Sequence, residues 1–404
     1  MKTIKFYTLG CKVNQYDTQS IREQFLKNGY QEIDNGKTAD TYFINTCTVT
    51  AIADRKAKNI IRHCLRENPK ARIMVTGCLV EKDALSLSDI KGIDFLISKR
   101  FFREGISNFC GHTRAFLKIQ DGCNNSCAYC KVPLVRGVSR SRPLLEIIKE
   151  AKKLVQNGFQ EIVLSGICLG AFGKDLKEAI SLVDAIEGLE NIEGLLRIRL
   201  SSLEAVDVSD RLIQQMAESQ KLCWHLHIPI QSGDDAILKK MGRRYKRKDY
   251  SALIYKIKKY LPHVAITTDV LVGFPGEDEK NFQNTLNLIQ EILPLKVHIF
   301  PYSPRPGTPA FNFKDKVSPV IIKQRISKLK EIARECAFIY RKQFLKKKME
   351  VLLETRSLKN PCLWFGFTRN YIKVSLESNQ NLKNQIMTLK LKKVVSDSVR
   401  AEFC

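Results

Sequence analysis

Apolar and polar positions along this chain fall into three textures. In the first hundred residues, short apolar runs end at turn signals: Ile4-Lys5-Phe6-Tyr7-Thr8-Leu9-Gly10, Thr41-Tyr42-Phe43-Ile44-Asn45-Thr46 and Arg72-Ile73-Met74-Val75-Thr76-Gly77. The stretches between them carry helical periodicity. They predict helices over residues 14–28 and 51–68, with Gly29 and Pro69 beyond their ends as stop signals. Ile93-Asp94-Phe95-Leu96-Ile97 reads as a further strand. Strands alternating with helices predict a parallel sheet. Residues 100–113 read as a linker.

From about residue 114 to 335 the alternation repeats. Strands at 115–120, 161–164, 195–200, 224–230, 265–272 and 295–300 make six βα-type units. Leu145, Ile148, Ala151, Leu154 and Val155 give the helix at 143–156 its apolar stripe. A parallel partial barrel fits this better than an open doubly wound sheet, although periodicity does not choose between them. In such barrels the chemistry sits at the C-terminal ends of the strands. Those positions hold Cys123, Ser165-Gly166, Ser201-Ser202, Gln231-Ser232 and Gly273-Phe274-Pro275. Residues 341–404 differ again: short runs at 350–354, 364–368, 371–376 and 385–391 predict a small all-β module. The fold class is therefore α/β with three expected domains, at 1–110, 114–335 and 341–404.

Charge narrows the partners. The net charge of +25 favours a polyanion. The last 64 residues hold 14 Lys/Arg against 5 Asp/Glu. Within them Trp364, Phe365, Phe367, Arg369 and Tyr371 interleave aromatics with charge, as RNA-stacking surfaces do, although alternate positions must face the core. Arg136, Arg140, Arg142 and the run Arg243-Arg244-Tyr245-Lys246-Arg247-Lys248 are further candidates for phosphate contact, a solvated face being the plainer reading of the run. No run of 18 apolar residues exists, so no membrane span is expected. The N-terminus lacks a signal-peptide core. Thirteen cysteines in an unexported chain argue for reduced thiols and metal, not disulfides, with cytoplasm as the expected location.

The cysteines carry the chemistry. In Asp121-Gly122-Cys123-Asn124-Asn125-Ser126-Cys127-Ala128-Tyr129-Cys130, the C-x3-C-x2-C spacing lets three thiolates hold three irons of a 4Fe-4S cube and leaves the fourth iron open. An open metal position marks a metal that reacts. The alternatives are a zinc site completed by a distant residue such as His112, and scattered buried thiols. Cys11, Cys47 and Cys78 form a second set, because each follows a predicted parallel strand and such strands place their C-terminal ends along one edge. Three unrelated buried cysteines would give the same pattern. Cys168 and the other cysteines lack ligand spacing, and the histidines at 225, 227, 263 and 298 read as satisfied core residues.

The three-cysteine loop, with Tyr129 before its last cysteine, resembles the radical S-adenosylmethionine (SAM) superfamily. Together with Thr8-Leu9-Gly10-Cys11-Lys12-Val13-Asn14-Gln15-Tyr16-Asp17, Asn45-Thr46-Cys47-Thr48-Val49-Thr50, Thr76-Gly77-Cys78, His227-Ile228-Pro229-Ile230-Gln231-Ser232-Gly233 and Asp269-Val270-Leu271-Val272-Gly273-Phe274-Pro275-Gly276-Glu277, it resembles the radical SAM methylthiotransferases over nearly the whole chain. That resemblance implies a central (β/α)6 TIM-type partial barrel and a TRAM-like C-terminal barrel that binds RNA. It also implies two 4Fe-4S clusters, on Cys11, Cys47 and Cys78 and on Cys123, Cys127 and Cys130. SAM would be held by Tyr129 at the adenine, by Ser165 and Gly166 at the amino group, by Gln231 and Ser232 at the ribose or carboxylate, and at a close backbone approach at Gly273. This chain has Leu-Ser-Gly at 164–166 where the superfamily often has Gly-Gly-Glu. The opening and the Asn-Thr-Cys-Thr-Val-Thr segment look most like the group that modifies threonylcarbamoyladenosine in tRNA. The groups acting on isopentenyladenosine or on a ribosomal-protein aspartate, and a non-catalytic iron–sulfur RNA-binding protein, are the alternatives. An electron donor of flavodoxin or ferredoxin type and a sulfur source are the further partners implied.

Overall fold

The computed structural model describes residues 2–34, 36–84, 87, 89–98 and 105–404. Residues 100–104 of the expected linker lie outside the described residues. The first strands are β1 (Thr3–Thr8), β2 (Gln31–Glu32), β3 (Thr41–Thr46), β4 (Arg72–Gly77) and β5 (Phe95–Ile97). They form one parallel sheet in the order β2-β1-β3-β4-β5. Every residue of β3 is buried, as a strand covered on both faces requires. Helices α1 (Lys12–Lys27) and α2 (Ala51–Glu67) follow β1 and β3. α1 starts at Lys12, directly after Cys11, two residues earlier than the periodicity predicts. Strand order reverses between β1 and β3, and an open α/β sheet binds its ligands beyond the strand ends at such a switch. Cys11 and Cys47 lie there, and β4 brings Cys78 alongside.

The central region carries six parallel strands: β6 (Arg114–Lys118), β9 (Glu161–Ser165), β10 (Arg197–Leu200), β11 (His225–His227), β12 (Ala265–Val272) and β13 (Lys296–Pro301). Two three-stranded sheets, β6-β9-β10 and β11-β12-β13, meet through parallel bridges at Ile198–Leu222 and Ser202–His227. Each strand is therefore next to its chain neighbour, which selects the partial barrel over the doubly wound sheet. The ladder at β11 covers three residues of the predicted 224–230 strand, because Pro229 has no N–H to donate and Gln231 turns to φ +70°. A short antiparallel pair, β7 (Gln120–Asp121) with β8 (Arg140–Ser141), pins the loop between them.

The helix Pro319–Lys342 leads into a closed barrel ordered β14-β15-β16-β18-β17. Its strands are β14 (Lys348–Arg356), β15 (Leu363–Thr368), β16 (Lys373–Glu377), β17 (Ile386–Val395) and β18 (Ser398–Phe403). β18 is a fifth strand beyond the four the sequence predicts here: it follows a tight reversal at Ser396 and Asp397 that carries no glycine or asparagine to announce it. Trp364 faces the barrel core. The aromatic face expected to be open is largely an internal seam. Arg197 donates to Phe367 O at 3.1 Å, Arg199 donates to Thr368 O and Arg369 O at 3.2 Å, and Phe367 and Tyr371 lie against the Arg114 guanidinium. Glu161, fully buried, joins Arg199 at 2.7 Å and Arg114 at 3.8 Å. Burial opposes its ionisation, but these arginines outweigh it and hold the carboxyl below its usual range.

Candidate active site at the seam of two cysteine loops

The dispersed cysteines are held together by the residues around them. Parallel register sets Thr8 beside Asn45 and Thr46 beside Gly77, so the chain leaves three neighbouring strands at one edge. A side chain at Gly10 would meet Cys47 Cβ at 2.9 Å and its Sγ at 3.1 Å. At Gly77 (φ +107°) a Cβ would lie 2.3 Å from Thr46 O. Asn14 donates to Leu9 O (2.7 Å) and Thr46 O (3.0 Å), and Asn45 donates to Asn14 O (3.0 Å), which ties the end of β1 to the end of β3. Thr46 donates to Thr76 O at 2.7 Å and ties β3 to β4.

The loop cysteines are held locally. Gly122 takes φ +75°, where a Cβ would overlap Val138 O at 2.0 Å. Cys123 N–H donates to Gly137 O (3.1 Å), Ala128 N–H to Met241 O (2.9 Å), and Asn125 N–H to Cys123 Sγ (3.4 Å). Arg243 donates to Cys127 Sγ at 3.5 Å while paired with Glu204 and hydrogen-bonded to Tyr245. It therefore serves the loop rather than solvent phosphate, unlike the exposed Arg244, Lys246 and Lys248. Cys168, although it lacks ligand spacing, lies against Cys123: its hydrogen bond, ahead of all other causes, draws the Cys123 thiol down to about 7. Among the described residues neither cysteine triad has all three sulfurs within 4.8 Å of one another. Ligands of one tetrahedral zinc, at about 2.3 Å from the metal, would lie closer than that. His112 packs on Phe109 and Phe116 instead of completing such a site.

The two loops touch. Lys131, next after Cys130, donates to Thr48 Oγ1 at 3.4 Å, and Thr48 is next after Cys47. Arg305 donates to the same hydroxyl at 2.9 Å and pairs with Asp54. Arg136 bonds Asp121 at 2.7 Å and also reaches Asn14. Burial works against its charge, yet Asp121, Cys78, Asp17 and Cys11 together hold that charge firmly. Arg142 is likewise taken by Glu150 at 2.6 Å, which leaves Arg140 the exposed member of the three arginines that flank the cysteine loop.

The residues named for SAM lie at the strand ends. Tyr129 is half-buried, edge-on to Phe274 at 6.3 Å. Ser165 donates to Val163 O, and at Gly166 an added Cβ would meet Gln120 Oε1 at 2.9 Å. Gln231 holds its strained φ between Asp269 O and Leu271 N–H, both at 2.9 Å. Ser232 is engaged elsewhere: its hydroxyl lies 3.4 Å from Thr285 Oγ1 and receives Asp234 N–H. The space a side chain at Gly273 would take is filled by Ile322, 2.4 Å from the Cβ position, so its close approach is to protein. His225, satisfied on one side only because its buried Nδ1 has no hydrogen-bond partner, is the buried core residue expected, with Nε2 2.9 Å from Thr267 Oγ1. His227 and His298 are not: with Asp269 they form a cluster on β11, β12 and β13 whose ligand-type atoms lie within 4.8 Å of one another. Beside β13, a groove of about 820 Å³ is lined by Lys296, Lys330, Arg334, Arg341 and Lys373, with Asp397 paired to Lys373 at 2.9 Å.

Residues 117–289 match the Radical SAM superfamily and residues 3–98 match Uncharacterized protein family UPF0004. The fold is shared with TsrM of Kitasatospora setae, a radical S-adenosylmethionine methyltransferase (TM-score 0.53, 11% identity, 77% of each chain). It is shared also with OxsB, a cobalamin-dependent S-adenosylmethionine radical enzyme (TM-score 0.51, 10% identity, 83% of this chain and 56% of that one). Fold and matched segments thus define a radical SAM enzyme. At the level of sequence, the chain is 38% identical to the threonylcarbamoyladenosine tRNA methylthiotransferase MtaB of Bacillus subtilis, over 97% of this chain and 94% of that one. It is 36% identical to MtaB of Thermotoga maritima (94% and 92%) and 34% identical to the tRNA-2-methylthio-N(6)-dimethylallyladenosine synthase of Clostridium botulinum strain Hall (98% and 95%). The chain belongs to the radical SAM methylthiotransferase family. Among the described residues no helix is long and apolar enough to cross a membrane.

Proposed function

We propose that this enzyme replaces hydrogen by a methylthio group at carbon 2 of N6-threonylcarbamoyladenosine in tRNA, next to the anticodon, using two molecules of SAM and two 4Fe-4S clusters. The carrying observation is the contact between the loop after Cys47 and the loop after Cys130, which sets two thiol triads across one seam. The donor sets fit the groups: three soft thiols in each, no sulfur triad closed to the spacing of a single ion, and a buried arginine at each to balance anionic sulfur. Carbon 2 carries no acidic proton, so the bound clusters and SAM would supply radical chemistry and sulfur handling that side chains lack.

The chain's own residues do the rest. Cys123, Cys127 and Cys130 would hold one cluster on a loop preset by Gly122, and Cys11, Cys47 and Cys78 would hold the other on the sheet edge. Arg243 steadies the thiolate at Cys127. Tyr129 with Phe274 would wall the adenine of SAM, Ser165 and Gly166 would receive its amino group through main-chain carbonyls, and Gln231 would reach its ribose or carboxylate. Ser232 and Gly273 hold the turns that aim Gln231 and the following loop. Thr48, Lys131, Arg305 and Arg136 close the seam against water. The basic groove takes RNA phosphates, as the four cations left after Lys373 pairs with Asp397 suit. Relatives named for threonylcarbamoyladenosine at 36–38% identity favour that nucleoside over dimethylallyladenosine, named for relatives at 33–34%. A flavodoxin- or ferredoxin-like electron donor and a sulfur source complete the system. Nucleosides of tRNA from cells with and without the gene, separated and weighed by mass spectrometry, test the reading. The 2-methylthio derivative of threonylcarbamoyladenosine should vanish on deletion. Loss of the dimethylallyl derivative instead, or of a modified ribosomal aspartate, would overturn it.

A further inference from the structure

Lys12 is left over by the pairings around it. Its neighbours in the barrel interior are matched: Arg114 with Glu354 at 2.6 Å, Arg199 with Glu161 at 2.7 Å, Arg136 with Asp121 at 2.7 Å and Lys118 with Asp17. Asp269, the carboxylate of the facing strands, is bonded to His227 Nε2 at 3.2 Å. Lys12 Nζ lies 6.0 Å from the centre of the Phe116 ring and, among the described residues, has no carboxylate or hydrogen-bond partner. It is within electrostatic reach of Arg114, Arg199 and Tyr371, and of His225 and His298. Those residues come from β6, β10, β11, β13 and the C-terminal barrel, so the ammonium sits where the three parts of the chain face one another. A half-buried ammonium in that position has the thiol of Cys11 and the phenol of Tyr371 within electrostatic reach but, among the described residues, no carboxylate to pair with.

We infer that Lys12 receives the carboxylate of the substrate's threonyl arm and so selects the nucleoside. The inference rests on the substrate reading above. Of the two substituents carried in the relatives' names, threonylcarbamoyl ends in a carboxylate and dimethylallyl is hydrocarbon. A lone ammonium gains a charge-assisted bond from the first and is stranded beside the second, which is both halves of specificity. The position also suits the chemistry. Carbon 2 and carbon 6 of adenine flank the same ring nitrogen and N6 is carried on carbon 6, so a group gripping the arm on N6 stands on the side of the base where carbon 2 lies, and Lys12 is next to Cys11 of the first triad.

The test uses the iron-loaded enzyme and an anticodon stem-loop RNA carrying either threonylcarbamoyladenosine or its carboxamide, in which the carboxylate is replaced by a neutral amide. Binding is read by fluorescence anisotropy without reductant, and kcat/KM by product mass spectrometry. The wild type should prefer the acid over the amide by about tenfold to a hundredfold, the size of a hydrogen bond to a charged group. Lys12→Gln should lose that preference by weakening the acid alone, and Lys12→Arg should retain it. Equal handling of acid and amide by the wild type, a comparison that needs no variant, overturns the inference. So does a Lys12→Gln enzyme that still prefers the acid, or that weakens on both RNAs alike. If the wild type modifies dimethylallyladenosine RNA and leaves threonylcarbamoyladenosine RNA untouched, the substrate reading itself has failed. If it modifies the latter but Lys12→Gln keeps the preference, only the role of Lys12 has.

Discussion

Cys123, Cys127 and Cys130 lie within one loop of eight residues, whereas Cys11, Cys47 and Cys78 leave three strands spread over 68 residues. The loop triad is shaped by its own backbone, by one glycine at positive φ and by Arg243. The dispersed triad exists only when the parallel sheet has formed in its register, and its supports are the asparagines and threonines that lace the strand ends together. A local site tolerates change elsewhere in the fold. A convergent site answers to every strand that builds it.

The sharpest way to break this comparison is to remove one triad at a time. Full reconstitution should give about eight irons per chain, four for each cube. Alanine at Cys123, Cys127 and Cys130 should leave about half that iron and abolish reductive SAM cleavage. Alanine at Cys11, Cys47 and Cys78 should also halve the iron, yet SAM cleavage should persist while methylthiolation stops. Iron analysis beside a SAM-cleavage assay decides it. Loss of all iron from either folded variant would show that the sites are not independent.

Glycine substitutions probe the same contrast with a smaller effect. Gly77→Ala puts a Cβ 2.3 Å from Thr46 O, and Gly122→Ala puts one 2.0 Å from Val138 O, both at positive φ. Each should cost on the order of 3 kcal/mol in denaturant unfolding. The first should deplete iron from the dispersed triad and leave SAM cleavage; the second should do the reverse. If both variants lose the same iron, the distinction between local and convergent construction does not hold.

The contrast also explains what the sequence could disclose. The loop triad is legible because its ligands are neighbours and spacing is a local property. The dispersed triad is legible one step further on, since alternating strands and helices imply a parallel sheet whose ends share an edge. The strand ends of the barrel were marked by the same logic. Lys12, Cys168 and the cluster of His227, Asp269 and His298 were not, because their meaning lies in what faces them across elements. For the same reason Trp364, Phe367, Tyr371 and Arg369 read as an RNA surface. Strand alternation says that half of such residues turn inward, but not that another domain waits to receive the rest. Arg369 in fact donates to Leu222 O at 3.1 Å in the central region. A C-terminal module cut away at residue 341 would leave Arg197 and Arg199 without their carbonyl acceptors. Truncation is therefore a test of stability as much as of RNA affinity.

The mildest change bears on the joint between the two sites. Thr48 is fully buried, and its hydroxyl accepts from Lys131 at 3.4 Å and from Arg305 at 2.9 Å. Valine keeps the shape and removes the acceptor, leaving two cations short of one bond at a cost of about 1–3 kcal/mol. Arg305 keeps Asp54, so the fold should survive the loss. Both triads keep all their cysteines, and iron should stay near the wild-type value in Thr48→Val. What should suffer is the alignment of one loop against the other. Methylthiolation should fall by about tenfold while SAM cleavage falls by no more than about twofold, because only the former needs both loops in register. Measuring the two rates on one preparation reads the ratio directly. A parallel fall in both would mean that Thr48 shapes the radical loop itself. No fall in either would mean that Arg136, with its bonds to Asp121 and Asn14, is enough to hold the seam.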